Sequence, residues 1–330
     1  MKSEFKQYAM VLLTFAVAAC SATTIQVPRL KPAEINLGPV KKVAIGAIEG
    51  DGGEDISDKL TQAIIGTGIY EVLDRKHLAE IAREKNIQAN DPGAAFGPML
   101  GAAALVFGRI TQNGYTENVT GDQQVCMAGN RQVPCTTYTR AGKHAVSVSF
   151  KIIDAASGKV LAIKLVNGVA QARRQVVVQE AMTTNRQALA GIIPPFEDVQ
   201  QFQIAATDDM VKFFMRMIAP FTITVPVVLY EQDSQASKNG VTAAKAGDWA
   251  TAIDAFKSAL KQASASPDLE VQARAHYNIG VALGYSGSYS EGIAEIQRAI
   301  SLKPDDVFQK EIENIRVFQA DDAKLKAQAG

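Results

Sequence analysis

The spacing of apolar and polar residues divides the chain into three stretches. Residues 20–38 hold two prolines, few large apolar side chains and no period, and read as a flexible tether. From Lys41 the pattern is that of interleaved strands and helices. Val43, Ile45 and Ile48 mark a strand that ends in Gly50-Asp51-Gly52-Gly53. A helix follows, with Ile56, Leu60, Ala63 and Ile64 on one stripe, Asp55 as its N-cap, and Gly66 and Gly68 to end it. Residues 69–73 are a short strand and residues 75–86 a second helix; Asp91-Pro92 opens a third that runs to Gly101. Residues 102–111 read as a strand buried on both faces. In residues 145–154, Val146, Val148, Phe150 and Ile152 alternate with Ser147, Ser149 and Lys151, which makes a strand with one wet face. Asp154 to Gly158 supplies a turn, and residues 159–169 return antiparallel. A helix over 203–218 stops before Pro220, and a strand over 221–229 closes the domain.

From Ser234 only helical periods remain. Segments 243–260 and 275–304 align at an offset of forty residues: Gly240 with Gly280, Gly247 with Gly287, Trp249 with Tyr289, Ala252 with Gly292, Phe256 with Ile296, Ala259 with Ala299. Small residues let paired helices approach, and the aromatic side chains fill the gap between them. These positions, with Pro304, resemble the tetratricopeptide repeat, whose unit is about 34 residues. The extra length falls in the connection 262–268, and Gly292 stands where that family prefers Ala. Residues 305–326, with Ile312, Ile315 and Phe318 facing inward, form a capping helix.

The N-terminus changes the picture. Lys2 and Lys6 precede an apolar run over 9–19 that is too short to cross a bilayer core and fits an export signal. Val17-Ala18-Ala19-Cys20 resembles a lipobox, which makes 1–19 a signal peptide and Cys20 the lipidation site. Ser21 in place of Asp directs such lipoproteins to the outer membrane, here its periplasmic face. Of the remaining cysteines, Cys126 and Cys135 lie close together in a polar stretch and read as a disulfide in an oxidising compartment. A zinc or redox pair is the rival, but the spacing is not C-x-x-C and no His stands at ligand distance. The 34 basic and 34 acidic residues balance, so no concentrated basic surface for nucleic acid is expected.

At Val72-Leu73-Asp74-Arg75-Lys76-His77-Leu78-Ala79-Glu80-Ile81-Ala82-Arg83-Glu84 the chain resembles the curli-export lipoprotein (CsgG) family, in which a strand ends in an acidic-Arg pair and opens a helix. Residues 101–108 and 145–161 resemble two further family segments, so the likeness covers most of 20–225. It implies a mixed sheet with flanking helices for 39–230, an α/β domain, and the repeat resemblance implies an all-α tetratricopeptide-type domain over 231–330. It also implies a homo-oligomer, since family members form outer-membrane export pores with two amphipathic hairpins per subunit. The first hairpin would lie in 113–142, which contains Glu117, Asp122, Arg131 and the Cys pair and lacks the alternation of about ten residues that a barrel strand needs. The second would lie in 164–203, where Arg173, Arg174 and Glu180 interrupt a weak alternation. Related lipoproteins act without pores, as envelope scaffolds or activators of periplasmic enzymes.

No catalytic constellation is present: G-x-S-x-G, H-E-x-x-H and C-x-x-C are absent, and His77, His144 and His276 are scattered and expected on surfaces or helix faces. The chain is expected to be no enzyme and to need no cofactor and no metal. Residues 50–53 read as a tight strand-to-helix turn in preference to a phosphate cradle, and Asp208-Asp209 and Asp321-Asp322 as solvated faces. By the repeat resemblance, Val241, Lys245, Arg274, Tyr277, Val281 and Tyr285 would line a peptide-binding groove for a periplasmic or secreted partner, the competing reading being that Tyr277 and Tyr285 pack between repeats. The expectation is thus a lipid-anchored envelope assembly or secretion factor; the alternative is a non-pore adaptor or activator of a cell-wall enzyme.

Overall fold

The computed structural model describes residues 21–38, 40–73, 103–179 and 185–329. The expected signal peptide, Cys20, His77, Glu180, the helices expected over 75–86 and 92–101, and most of the 72–84 motif lie outside these residues. The chain forms two compact units: Pro32–Phe221 with Leu325–Gly330, and a second that takes its described residues from Ser21–Lys31 and Thr222–Lys324.

The first unit is a mixed α/β structure. Strands β2 (Lys42–Glu49), β3 (Glu71–Leu73), β4 (Ala103–Ala128), β5 (Arg131–Asp154) and β6 (Val160–Val178) form one sheet in the order β3-β2-β4-β5-β6. β2 is parallel to β3 and β4, and β4-β5-β6 are antiparallel. Among the described residues, helices α1 (Gly53–Thr67), α2 (Arg186–Ile192) and α3 (Val199–Ile218) belong to the same unit. Helix α1 starts two residues before the expected cap Asp55, because Gly52 in a left-handed conformation already turns the chain. Ile56, Leu60 and Ile64 of α1 and Met210, Phe214 and Ile218 of α3 bury one sheet face through Val43, Ile45, Val106, Val148, Phe150 and Ile152. Gly168 of β6 makes that approach possible, because a Cβ there would overlap the backbone of α3 at Ala206 and Met210.

Two strands run much further than the side-chain pattern indicates. β4 and β5 pair, with one register shift between Ile110 and Gln112, to Ala128↔Arg131 around the two-residue turn Gly129-Asn130, and β6 follows β5 out to Thr136↔Val178. The segment around the cysteines is therefore a strand hairpin and not a polar loop. Backbone pairing needs no apolar side chains, so polarity did not stop it.

The second unit joins a ribbon of β1 (Ser21–Lys31) and β7 (Phe221–Glu231) to helices α4 (Gln235–Lys245), α5 (Trp249–Ala263), α6 (Leu269–Ser286), α7 (Tyr289–Leu302) and α8 (Asp306–Ala329). The expected tether is thus a strand for most of its length. Ile25 and Val27 sit at alternate positions in the helical core, while Pro28 is exposed on the outer face, where a two-stranded ribbon tolerates a missing N–H. The pairs α4/α5 and α6/α7 repeat one another: a Cβ on Gly240 would overlap Phe256, one on Gly280 would overlap Ile296, and Gly247 and Gly287 both end their helices at positive φ. The boundary expected at residue 231 falls earlier, inside β7, whose Val227, Leu229 and Tyr230 are core residues of the helical unit.

Candidate functional site

The inner face of the helical unit is built from α4, α6 and α8, and it holds the ribbon. Asn278, a lone carboxamide in the buried stretch of α6, grips β7 by its backbone: Tyr230 N–H donates to Asn278 Oδ1 (3.0 Å), and Asn278 Nδ2 donates to Tyr230 O (2.7 Å). Tyr277 Oη donates to Val228 O (3.2 Å), its ring stacks on Phe308 at 4.5 Å, and Tyr230 meets it edge-on at 5.4 Å. Burial pushes the Tyr277 and Tyr285 hydroxyls well above the usual phenol range, with the neighbouring Glu311 carboxyl adding to the shift. Glu311 is itself raised by burial, against which Asn314, whose Nδ2 donates to its Oε2 (2.9 Å), and the Tyr285 hydroxyl both act.

Of the six residues expected to line a peptide groove, Val241, Tyr277, Val281 and Tyr285 are buried in the core of the unit. Arg274 pairs with Glu270 and lies 4.9 Å from the ring of Tyr230, and Lys245 ends α4. Strands of the chain itself lie against Arg274, Tyr277 and Tyr285, so that part of the expected open groove is filled. The packing alternative for the two tyrosines is the observed arrangement. Asn278 was missed; an Asn between Tyr277 and Ile279 on an otherwise apolar helix was the available signal.

The acidic pairs expected on solvated faces have partners. Lys31 Nζ bonds Asp321 at 2.6 Å, Arg29 lies 3.8 Å from Asp322, and Tyr289 Oη donates to Asp322. In the α/β unit Lys59 pairs with Asp208, and Val169 N–H donates to Asp209 (3.1 Å). Both pairs are helix-borne, but each faces a strand or helix that sequence distance conceals.

The outer half of the sheet holds a second polar cluster. Arg140 pairs with Glu117 and donates through Nε to Ile193 O (2.8 Å); Tyr115 Oη donates to Glu117 (2.6 Å). Burial alone would raise the Glu117 carboxyl, but the hydrogen bonds from Tyr115, Arg140 and the Phe196 N–H, with the Arg140 charge, hold it below the usual range. Burial and the Glu117 carboxylate push the Tyr115 hydroxyl up to about 12. Phe196, with Arg174 stacked 4.6 Å from its ring, closes over Gly142. At the tip, Cys126 and Cys135 are joined by a disulfide, with their Cα atoms 5.9 Å apart on the two paired strands. Against expectation His144 is buried, with Nε2 2.8 Å from Asn113 Oδ1, and burial lowers its pKa. His276 finds Glu295 across the α6/α7 hairpin at 2.7 Å. Among the described residues no helix is long and apolar enough to cross a membrane.

Comparison with known proteins gives one family match and several distant likenesses. The family model described as curli production assembly/transport component CsgG matches residues 23–198, just over half of the chain. No curated protein matches. Among solved structures, the PelC dodecamer from Paraburkholderia phytofirmans is similar at 16% identity, covering 60% of this chain and 99% of that one, with a TM-score of 0.26. The hypothetical protein CT253 from Chlamydia trachomatis is similar at 9% identity, covering 53% and 94%, with a TM-score of 0.29. Lipoprotein GNA1162 from Neisseria meningitidis is similar at 15% identity, covering 47% and 93%, with a TM-score of 0.24. Scores this low add nothing to the argument from the residues.

Proposed function

Because the chain belongs to the CsgG family, curli production assembly/transport components, we propose that it is an envelope lipoprotein that serves the secretion or assembly of a surface structure. The family match over residues 23–198 carries this reading. In it, Cys20 bears the lipid, the protein works at the periplasmic face of the outer membrane, and several copies assemble through the α/β unit. The two helical hairpins are of tetratricopeptide type.

The sheet supports assembly. Beyond Glu49↔Arg109, strands β4, β5 and β6 continue as a three-stranded sheet, and neither the outer side of β4 nor that of β6 has a strand partner among the described residues. Long edges with free N–H and C=O groups are templates for strands of another copy. The same sheet argues for a scaffold and against a barrel in lipid. One face carries Thr116, Asn118, Thr120 and Asp122 beside Thr137, Thr139 and Lys143, and then Gln171, Arg173 and Gln175. The other face holds the Glu117–Arg140 pair under Phe196. A lipid-facing strand needs an apolar row, and charges at mid-bilayer cost about 2–4 kcal/mol each.

The test has two arms. Loss of the protein should abolish surface display of the secreted material while its synthesis inside the cell continues, and Cys20→Ala should reproduce that loss. Purified oligomer added to planar bilayers should give no conductance. An unchanged cell surface overturns the secretion role; stepwise conductance overturns the scaffold reading in favour of a pore.

A further inference from the structure

The strand that fills the helical face begins at Ser21, the residue after the proposed lipidation site. We propose that the helical array is the receptor for the chain's own lipid-bearing strand, with Arg29 setting its specificity, so that the membrane anchor acts on the helical unit and not through a loose tether. This rests on the lipidation of Cys20 given above, and the experiment separates the two.

The two ribbon strands share a motif, Thr24-Ile25-Gln26-Val27-Pro28 in β1 and Thr222-Ile223-Thr224-Val225-Pro226 in β7. Their continuations differ. β7 goes on with Val227 and Leu229 into the core, whereas β1 places Arg29 and Lys31 at its inward positions. The helical face is complementary to those two cations. The Arg29 guanidinium lies 4.5 Å from the ring centre of Phe318 and 5.8 Å from that of Tyr285, and Arg29 Nη2 donates to Tyr289 Oη (3.3 Å). Asp322 and Asp321 of α8 stand opposite Arg29 and Lys31. An arginine over aromatic rings beside a carboxylate is bound by both ring quadrupole and charge.

Specificity follows from the period of the strand. A slip of one residue would turn Ile25 and Val27 outward and the exposed Gln26 inward, and a slip of two would carry Arg29 away from Phe318 and Asp322. The apolar positions supply contact that either T-I-x-V-P strand could make. Arg29 is what distinguishes β1 and fixes its register.

The experiment uses the full lipidated chain with a protease site in a short Gly/Ser loop inserted between Lys31 and Pro32, where the chain leaves β1. The protein is reconstituted in phosphatidylethanolamine/phosphatidylglycerol vesicles, cut, and sedimented. After cutting, only the docked strand links the body to the anchor. The wild-type body should remain with the vesicles; the body of Arg29→Ala should leave at least about tenfold faster, although uncut Arg29→Ala stays bound. Gln26→Ala, on the outer face, should behave as wild type. Release of the cut wild-type body, or equal retention of Arg29→Ala, overturns the proposal. If the uncut wild type fails to bind vesicles, the lipidation reading has failed instead. Docking is then read from the cut soluble protein by gel filtration, where the strand fragment should co-elute with the wild-type body and not with that of Arg29→Ala; a fragment that elutes alone overturns docking.

Discussion

Glu311 shows how a single residue can carry an electrostatic cost that the sequence does not display. It reads as one more acid on a charged helix, yet it is buried beside Tyr277 and Tyr285, and the hydrogen bonds from Asn314 and Tyr285 do not offset that burial. Burial raises its pKa, so the folded unit keeps it neutral at a pH where the unfolded chain ionises it. Stability is then unaffected below the ordinary carboxylate range and falls as pH rises toward the folded value. Glu311→Gln should remove that loss, making the protein more stable than wild type at pH 7. The difference should close near pH 4, as read from denaturant titrations at the two values. A gap that is independent of pH would mean the carboxyl is not the cause. Asn278 and Arg29 were equally hard to read, because each is defined by a partner 48 or 260 residues away.

At the level of elements, the hairpin β4/β5 is ordered by its ladder, its Gly129-Asn130 turn and the disulfide. In its outermost section Val125 and Met127 are exposed, and Cys135 and Thr136 are the residues it buries. Closing so short a loop stabilises by roughly 2–3 kcal/mol on the chain-entropy account. Denatured, unreduced protein should show no free thiol from Cys126 or Cys135. Reduction, or the double change Cys126→Ser with Cys135→Ser, should accelerate amide exchange over residues 122–137 and leave the protection around Val148 and Phe150 intact. Equal acceleration along the whole strand would show that the tip and the core open together. The inner ends of these strands were legible because Val146, Val148, Phe150 and Ile152 alternate against a helix layer. The outer ends were not, since their neighbours are other strands, and strand pairing leaves no apolar mark on the sequence. The two-residue Gly-Asn turn was the available sign.

For the molecule as a whole, the boundary within β7 decides which fragments stand alone. Cutting at residue 231, where helical periodicity begins, removes α4–α8 and strips the cover from Ile25, Val27, Val227, Leu229 and Tyr230. Each fully buried aliphatic or aromatic side chain is worth about 1.5–3 kcal/mol when kept from water. Residues 1–230 should therefore aggregate or bind a hydrophobic dye, whereas 32–221 should be soluble and unfold cooperatively. The check is gel filtration and thermal melting of the two fragments; well-behaved 1–230 would show that the ribbon folds without the helices.

The sequence by itself determined the succession of an α/β part and a helical part, the inner strands, α1, the latter part of α3, and the internal repeat marked by Gly240 and Gly280. These are local matters, set by periods of two and 3.6 and by residues that permit close approach. Only the tertiary structure decided that the N-terminal segment is a strand of the helical unit and that part of the expected groove is filled. It likewise decided that Asp321 and Asp322 receive Lys31 and Arg29. Those outcomes join residues hundreds of positions apart, and the free energy that selects them comes from contacts no single segment contains.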